Sequence, residues 1–137
     1  MYATKNAKLA AAVFALATGA HADMSCNEAG DNIGAFNIAD AEALYNSIQT
    51  NNIHPSPGTE FLLEAGNQQN FYEGGAKVCV MNPWLFENTH ISLGDVGYAT
   101  NYMINACGAY GGHFLIQGDS GLNIDVYLQP LSGSCAP

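Results

Sequence analysis

The residues best able to do chemistry in this chain are the serine of the run Gly118-Asp119-Ser120-Gly121, the histidines His54, His90 and His113, and the carboxylates Glu87, Asp119 and Asp125. The G-D-S-G run copies the start of a serine-protease signature, in which the serine attacks and backbone N–H groups hold the oxyanion. Glycines flanking Asp and Ser are equally the composition of a tight turn, and no histidine stands in an A-A-H-C setting. A turn is the expected role. His54, His90 and His113 could pair with Glu87 or Asp119 for general acid–base work, as in small secreted ribonucleases. A phosphoryl transition state, however, needs cationic stabilisation, and the chain supplies almost none. The expectation is a protein without catalytic residues; the competing reading is a small secreted hydrolase, ribonuclease- or glycosidase-like, using His90 and Glu87. Glu87, Asp119 and Asp125 are hard-cation ligands by type, but they match no calcium loop, so neither metal nor cofactor is expected.

The four cysteines, Cys26, Cys79, Cys107 and Cys135, are widely spaced, with no C-x-x-C pair and no clustered histidines, which argues against zinc. An even count in an oxidising compartment points to two bridges, with three pairings open on spacing alone. The N-terminus agrees with such a compartment. Lys5 and Lys8 precede an apolar run from Leu9 to Ala17, and the small-residue site Ala20-His21-Ala22 closes it. That is the pattern of a cleaved secretory signal over residues 1–22, leaving 23–137 as one domain. The run is too short to span a bilayer, and no later segment is apolar for longer, so no integral membrane segment is expected. The product is read as secreted and extracellular.

Charge narrows the partners. Lys and Arg number 3 against 12 Asp and Glu, a formal charge of -9. Loss of Lys5 and Lys8 makes the mature chain two charges more negative and leaves Lys77 as its one strong base. Nucleic acid and anionic lipid are repelled, and neutral, cationic or calcium-bearing partners are favoured.

Hydrophobic periodicity supplies the elements that position these residues. From Asn37 to about Asn51, a cap residue, acids in the first turn, and Ala41, Leu44, Tyr45 and Ile48 at helical spacing predict a helix. Asn32 to Phe36 reads as a short strand leading into it. Phe61-Leu62-Leu63 fits a short strand or a helical turn, and Gly66 to Asn70 reads as a loop. Lys77 to Met81 is a strand bounded by Gly74-Gly75 and Asn82-Pro83, with Trp84-Leu85-Phe86 as its continuing partner. Ser92-Leu93-Gly94-Asp95 has the form of a helix start, and Leu93, Val96, Thr100, Met103 and Cys107 follow at three- and four-residue steps. His113 to Gln117 and Leu122 to Gln129 flank the G-D-S-G turn as a hairpin with one buried face. The fold class is α+β: a two-layer sandwich, with an antiparallel sheet of about four to five strands and two helices covering one face.

Five short motifs recur in one order: A-K-V-C at Ala76 to Cys79, I-S at Ile91-Ser92, A-C-G at Ala106 to Gly108, the G-L-N-I-D-V-Y strand, and S-C at Ser134-Cys135. Their order resembles the fungal killer-toxin family typified by the smut-virus killer protein 4, and related fungal apoplastic effectors including the necrosis-inducing class. The resemblance covers Gly75 to Cys135 and, loosely, the first helix. It implies a sandwich of antiparallel strands carrying two antiparallel helices. It also implies that Cys79 joins Cys135 and Cys26 joins Cys107. The family's best-known member is basic, inhibits calcium channels of competing fungi and needs lysine to do so. Here the mature chain's single lysine, Lys77, lies in the structural K-V-C strand, and several of the family's other cysteines are missing, so the scaffold is expected to carry a rewritten surface.

The function expected from these features is that of a secreted, non-enzymatic, killer-toxin-like virulence effector. It would act, as a monomer, on an extracellular protein, channel or cell-wall component of a host or competitor. Tyr98, Tyr102, Tyr110 and Tyr127 supply aromatic surface or core, and Lys77, Trp84, Glu87, His90, Asp119 and Asp125 are the candidate binding surface.

Overall fold

The computed structural model describes residues 4–5, 7–12, 24–28, 34–54 and 56–135. Most of the expected secretory signal lies outside the described residues. Of it, only the backbone of two short extended segments, β1 (Thr4–Lys5) and β2 (Ala7–Ala12), is described. The rest runs β3 (Met24–Cys26), α1 (Ile38–Gln49), β4 (Glu60–Leu63), β5 (Gln68–Glu73), β6 (Ala76–Met81), β7 (Thr89–Ser92), α2 (Leu93–Cys107), a 3₁₀ turn (Gly108–Tyr110), β8 (Gly112–Gln117) and β9 (Asn123–Pro130).

Five strands form one antiparallel sheet in the order β3-β8-β9-β6-β5, and β4 pairs with β7 in a separate two-stranded ribbon. The alternation in β8 and β9 sets the layers. Phe114, Ile116, Ile124, Val126 and Leu128 join Val78, Val80 and Phe71 of the neighbouring strands on one face. Against them pack Ala41, Leu44 and Ile48 of α1 and Val96, Ala99 and Met103 of α2. This is the expected α+β sandwich, with both helices on one side of the sheet. Burying so many branched and aromatic side chains between two layers supplies the main favourable term, each worth about 1.5–3 kcal/mol relative to exposure.

Both helices begin as their sequences predict, with different chemistry. The Asn37 side chain accepts a hydrogen bond from Ala39 N at 2.9 Å, a side-chain N-cap. Ser92 occupies the cap position of α2, but its side chain makes no capping bond; Leu93 N donates to Thr59 O at 2.8 Å instead. Asp40 in the first turn of α1 accepts from Gly75 N at 2.9 Å and so fastens the helix to the β5–β6 turn. Gly74 in that turn has φ +55°, and a Cβ there would run into the Asp40 carboxylate.

Three local expectations are corrected. Gln68 to Asn70, expected within the loop Gly66 to Asn70, belong instead to the strand Gln68–Glu73: Q-Q-N-F-Y-E buries only Phe71 because β5 is a sheet edge whose other residues face solvent or the uncovered side. Trp84 to Phe86 is not a strand, since the chain leaves the sheet at Asn82. Gly34 to Phe36 has no regular structure, and Asn32 and Ile33 lie outside the described residues.

Two disulfides join Cys26 to Cys107 and Cys79 to Cys135, with Cα separations of 5.2 and 6.0 Å. The first ties the edge strand β3 to the end of α2. The second draws the C-terminal residues across the uncovered face of the sheet. Lys77 completes this strap: its ammonium donates to Leu131 O at 3.5 Å and to Gly133 O. No helix among the described residues is long and apolar enough to cross a membrane.

Candidate functional site

One end of the sheet collects most of the candidate residues. There β6 ends at Met81, opposite Asp125, and β8 turns into β9 between Gln117 and Asn123. The segment after β6 is fastened by Asn82, which is fully buried. Its amide donates to Leu63 O at 3.2 Å and to Glu87 O at 2.9 Å, while its side-chain oxygen accepts from Trp84 N at 3.0 Å. Its backbone oxygen accepts from Gly66 N, and its N–H donates to Asn67 O. At the far end, Asn88 Oδ1 accepts from Ala65 N at 2.9 Å. With Pro83 adding a fixed φ, both ends of the loop are pinned to the β4–β5 connection.

What this frame displays is apolar. Trp84 is 46% exposed, Leu85 74% and Phe86 96%. The indole lies against the β8–β9 turn, with Nε1 donating to Asn123 O at 2.9 Å. Leu62, on the outward side of β4, is half exposed. A nearly naked phenylalanine beside an exposed leucine and a half-exposed tryptophan thus forms an exposed apolar tip on a hydrogen-bonded loop.

The β8–β9 turn is the second wall. Asp119 N donates to His90 O at 3.0 Å, and His90 N donates to Asp119 Oδ1 at 2.9 Å, a reciprocal pair that locks the turn to β7. The His90 ring adds an Nδ1 to Asp119 Oδ2 contact of 3.2 Å. The hydrogen bond from the His90 backbone, helped by the nearby imidazole, holds the Asp119 carboxyl below the ordinary range. Ser120 Oγ donates to Thr89 Oγ1 at 2.8 Å, so its described partner is a threonine hydroxyl rather than an imidazole. That is turn chemistry, as expected, and Gly118 is required because a Cβ would strike Thr89. None of the ion pairs among the described residues joins His90 to Glu87; the acid on His90 is Asp119.

Trp84, Glu87, His90 and Asp119 thus share one end of the molecule. Asp125 does not belong to that cluster. It sits on the uncovered sheet face, where Oδ1 lies 2.6 Å from His113 Nε2, and the His113 ring lies 4.8 Å from that of Tyr127. Burial, and then the Asp125 charge, push the Tyr127 hydroxyl up. Glu87, Asp119 and Asp125 do not gather, and no three metal-ligating side chains come together among the described residues.

Lys77 has to be removed from the candidate surface. It is 7% exposed, with its charge spent on backbone carbonyls of the C-terminal strap. Residues that sequence reasoning missed are Leu62, Leu85 and Phe86 as exposed contacts and Asn82 as their anchor. The Asn-Pro pair after a strand was the available signal for a turn there.

Comparison with family models, with characterised proteins and with solved structures finds no match to this chain.

Proposed function

We propose that this protein is a secreted, non-enzymatic effector of the killer-toxin-like kind, which engages a surface protein, channel or wall component of a host or competing organism through the Trp84-Leu85-Phe86 loop. The observation that carries the reading is the combination of extreme exposure at Phe86 with a buried, fully hydrogen-bonded anchor at Asn82. An apolar tip held in a fixed shape loses little conformational freedom on binding, which is where affinity is usually lost. Aromatic anchors of this type dominate interface energetics when they enter a pocket. Glu87 and Asp119 beside the tip favour a partner whose pocket is rimmed by basic side chains.

Secretion is supported by the N-terminal pattern and is compatible with two disulfides. The toxin-like class rests on the order of motifs between Ala76 and Cys135. Channel inhibition by a lysine patch is not part of the proposal, because Lys77 is buried.

The test applies purified oxidised protein to plant tissue and to fungal cultures, beside the double variant Trp84→Ala, Phe86→Asp and a panel of ester, glycan and RNA substrates. The expected result is a biological response to the parent protein, lost in the variant at unchanged thermal stability, with no turnover of any substrate. A variant as active as the parent would refute the loop; no response from either, or turnover that disappears with His90→Ala, would refute the class.

A further inference from the structure

The solvent side of the helical layer carries a second feature, built from other residues than the loop and from different chemistry. On α2, Tyr98, Asn101, Tyr102, Asn105 and Ala106 line a shallow groove of about 310 Å³. Beside it, Asn101 and Asn105 are shared with a second depression of about 270 Å³, whose other wall is Glu42, Tyr45 and Asn46 of α1. The two depressions meet at Asn101 and Asn105, which line both, and make a trough in two parts over the helix pair.

The lining carries no cation and a single acid, with side-chain amides and phenols making up its polar part. Asn101 and Asn105 stand one turn apart, and Asn105 Nδ2 donates to Asn101 Oδ1 at 3.4 Å. That contact uses the Asn101 oxygen and one Asn105 N–H, so the pair still has an NH₂ group and a carbonyl oxygen to offer, a donor and an acceptor one helical turn apart. Tyr45 accepts from Gln49 Nε2 at 3.1 Å, which leaves its own hydroxyl hydrogen to donate. Tyr98 is exposed, and its ring rests against those of Tyr102 and Phe114 at centroid distances of 6.2 and 6.1 Å. Phe114 is a core residue, so the aromatic wall is backed by the sheet and holds its position.

Paired donors and acceptors beside a fixed aromatic face suit a ligand that presents vicinal hydroxyls on one edge and C–H groups on the other. Net charge selects further: a chain at -9 whose Lys77 is buried repels a polyanion. From this lining we infer that the trough is a binding site for a neutral polysaccharide chain, two to three sugar units lying across α1 and α2. It uses none of the residues of the Trp84 loop, so the two sites stand or fall separately.

The test is isothermal titration of the oxidised protein with laminarihexaose, cellohexaose and N-acetylchitohexaose as neutral probes and hexagalacturonate as the anionic control. At least one neutral hexamer is expected to bind, and Asn101→Ala and Asn105→Ala are each expected to weaken it roughly tenfold, the scale of a lost hydrogen bond. Both substitutions lie on the helix exterior, and unchanged melting temperatures will show that the fold is intact. Side-chain amide resonances of Asn101 and Asn105 should shift on addition of the bound hexamer. The inference is overturned if no neutral hexamer binds at millimolar concentration, if hexagalacturonate binds better, or if the amide variants bind as the parent does. Binding lost in Trp84→Ala but kept in the amide variants would place the sugar on the loop and overturn it equally.

Discussion

Asn82 shows how much one side chain can organise. It satisfies two carbonyls and one N–H, the Leu63 carbonyl among them in a buried setting, so its replacement by alanine removes three hydrogen bonds at once. Asn82→Ala is expected to cost about 2–3 kcal/mol in urea unfolding, and to loosen the Trp84 loop even where the sheet survives. Asp119 makes a different prediction, because its carboxyl is held below the ordinary range by the His90 backbone. A depressed folded-state value means that the stabilisation is fully present above the unfolded-state value and is lost as pH falls through the folded one. The stability difference between the parent and Asp119→Asn should be constant at neutral pH and shrink below about pH 4, the usual aspartate region. A difference that does not shrink as pH falls through that region would show that the carboxylate is not the linking group. Asp119 was one of two acids that could be named as partners for the histidines, but nothing in the sequence singled out His90, and the Asn82 contacts were not legible at all. Asp119 and His90 lie 29 positions apart, with no motif connecting them, and an asparagine before proline signals a turn without revealing what it will hold.

The helices and the β8–β9 hairpin were legible because their buried residues recur at the period of the element itself. β5 and β7 were not, for physical reasons. An edge strand such as Gln68–Glu73 needs only one buried side chain, Phe71, so its alternation is drowned by amides. Thr89–Ser92 is short and runs straight into α2, so its Ile91-Ser92 end reads as the approach to a cap. The candidate site divided along the same line: Trp84, Glu87, His90 and Asp119 could be named by residue type, whereas exposure at Phe86 and burial at Lys77 depend on long-range pairing. The tie between α1 and the β5–β6 turn permits a prediction at this scale. Gly74→Ala is expected to destabilise by about 1–3 kcal/mol, through a positive φ and a collision with Asp40. In an Asp40→Ala background the same change should cost less, since the obstructing carboxylate is gone, and a double-mutant cycle measures the difference. An additive cycle would mean that backbone conformation alone sets the cost.

For the whole molecule, the helical layer, the sheet and the strap are held by two covalent links spanning 81 and 56 positions. In the chain-entropy account, each contributes about 4 kcal/mol by limiting the unfolded chain. Cys79→Ser with Cys135→Ser should therefore lower the unfolding free energy by about 4 kcal/mol and release the C-terminal residues to carboxypeptidase, since their covalent tie to the sheet is then gone. Resistance to the protease in that variant would show that the strap is seated without its bond. The two links also interleave: Cys26 and Cys79 leave the ribosome first, yet each must wait for a thiol made later. Thiols paired in order of appearance would close the wrong rings, so a productive cell has to delay oxidation or reshuffle early pairs. Yield of native material should thus depend on an isomerising thiol pool more than on the strength of the oxidant.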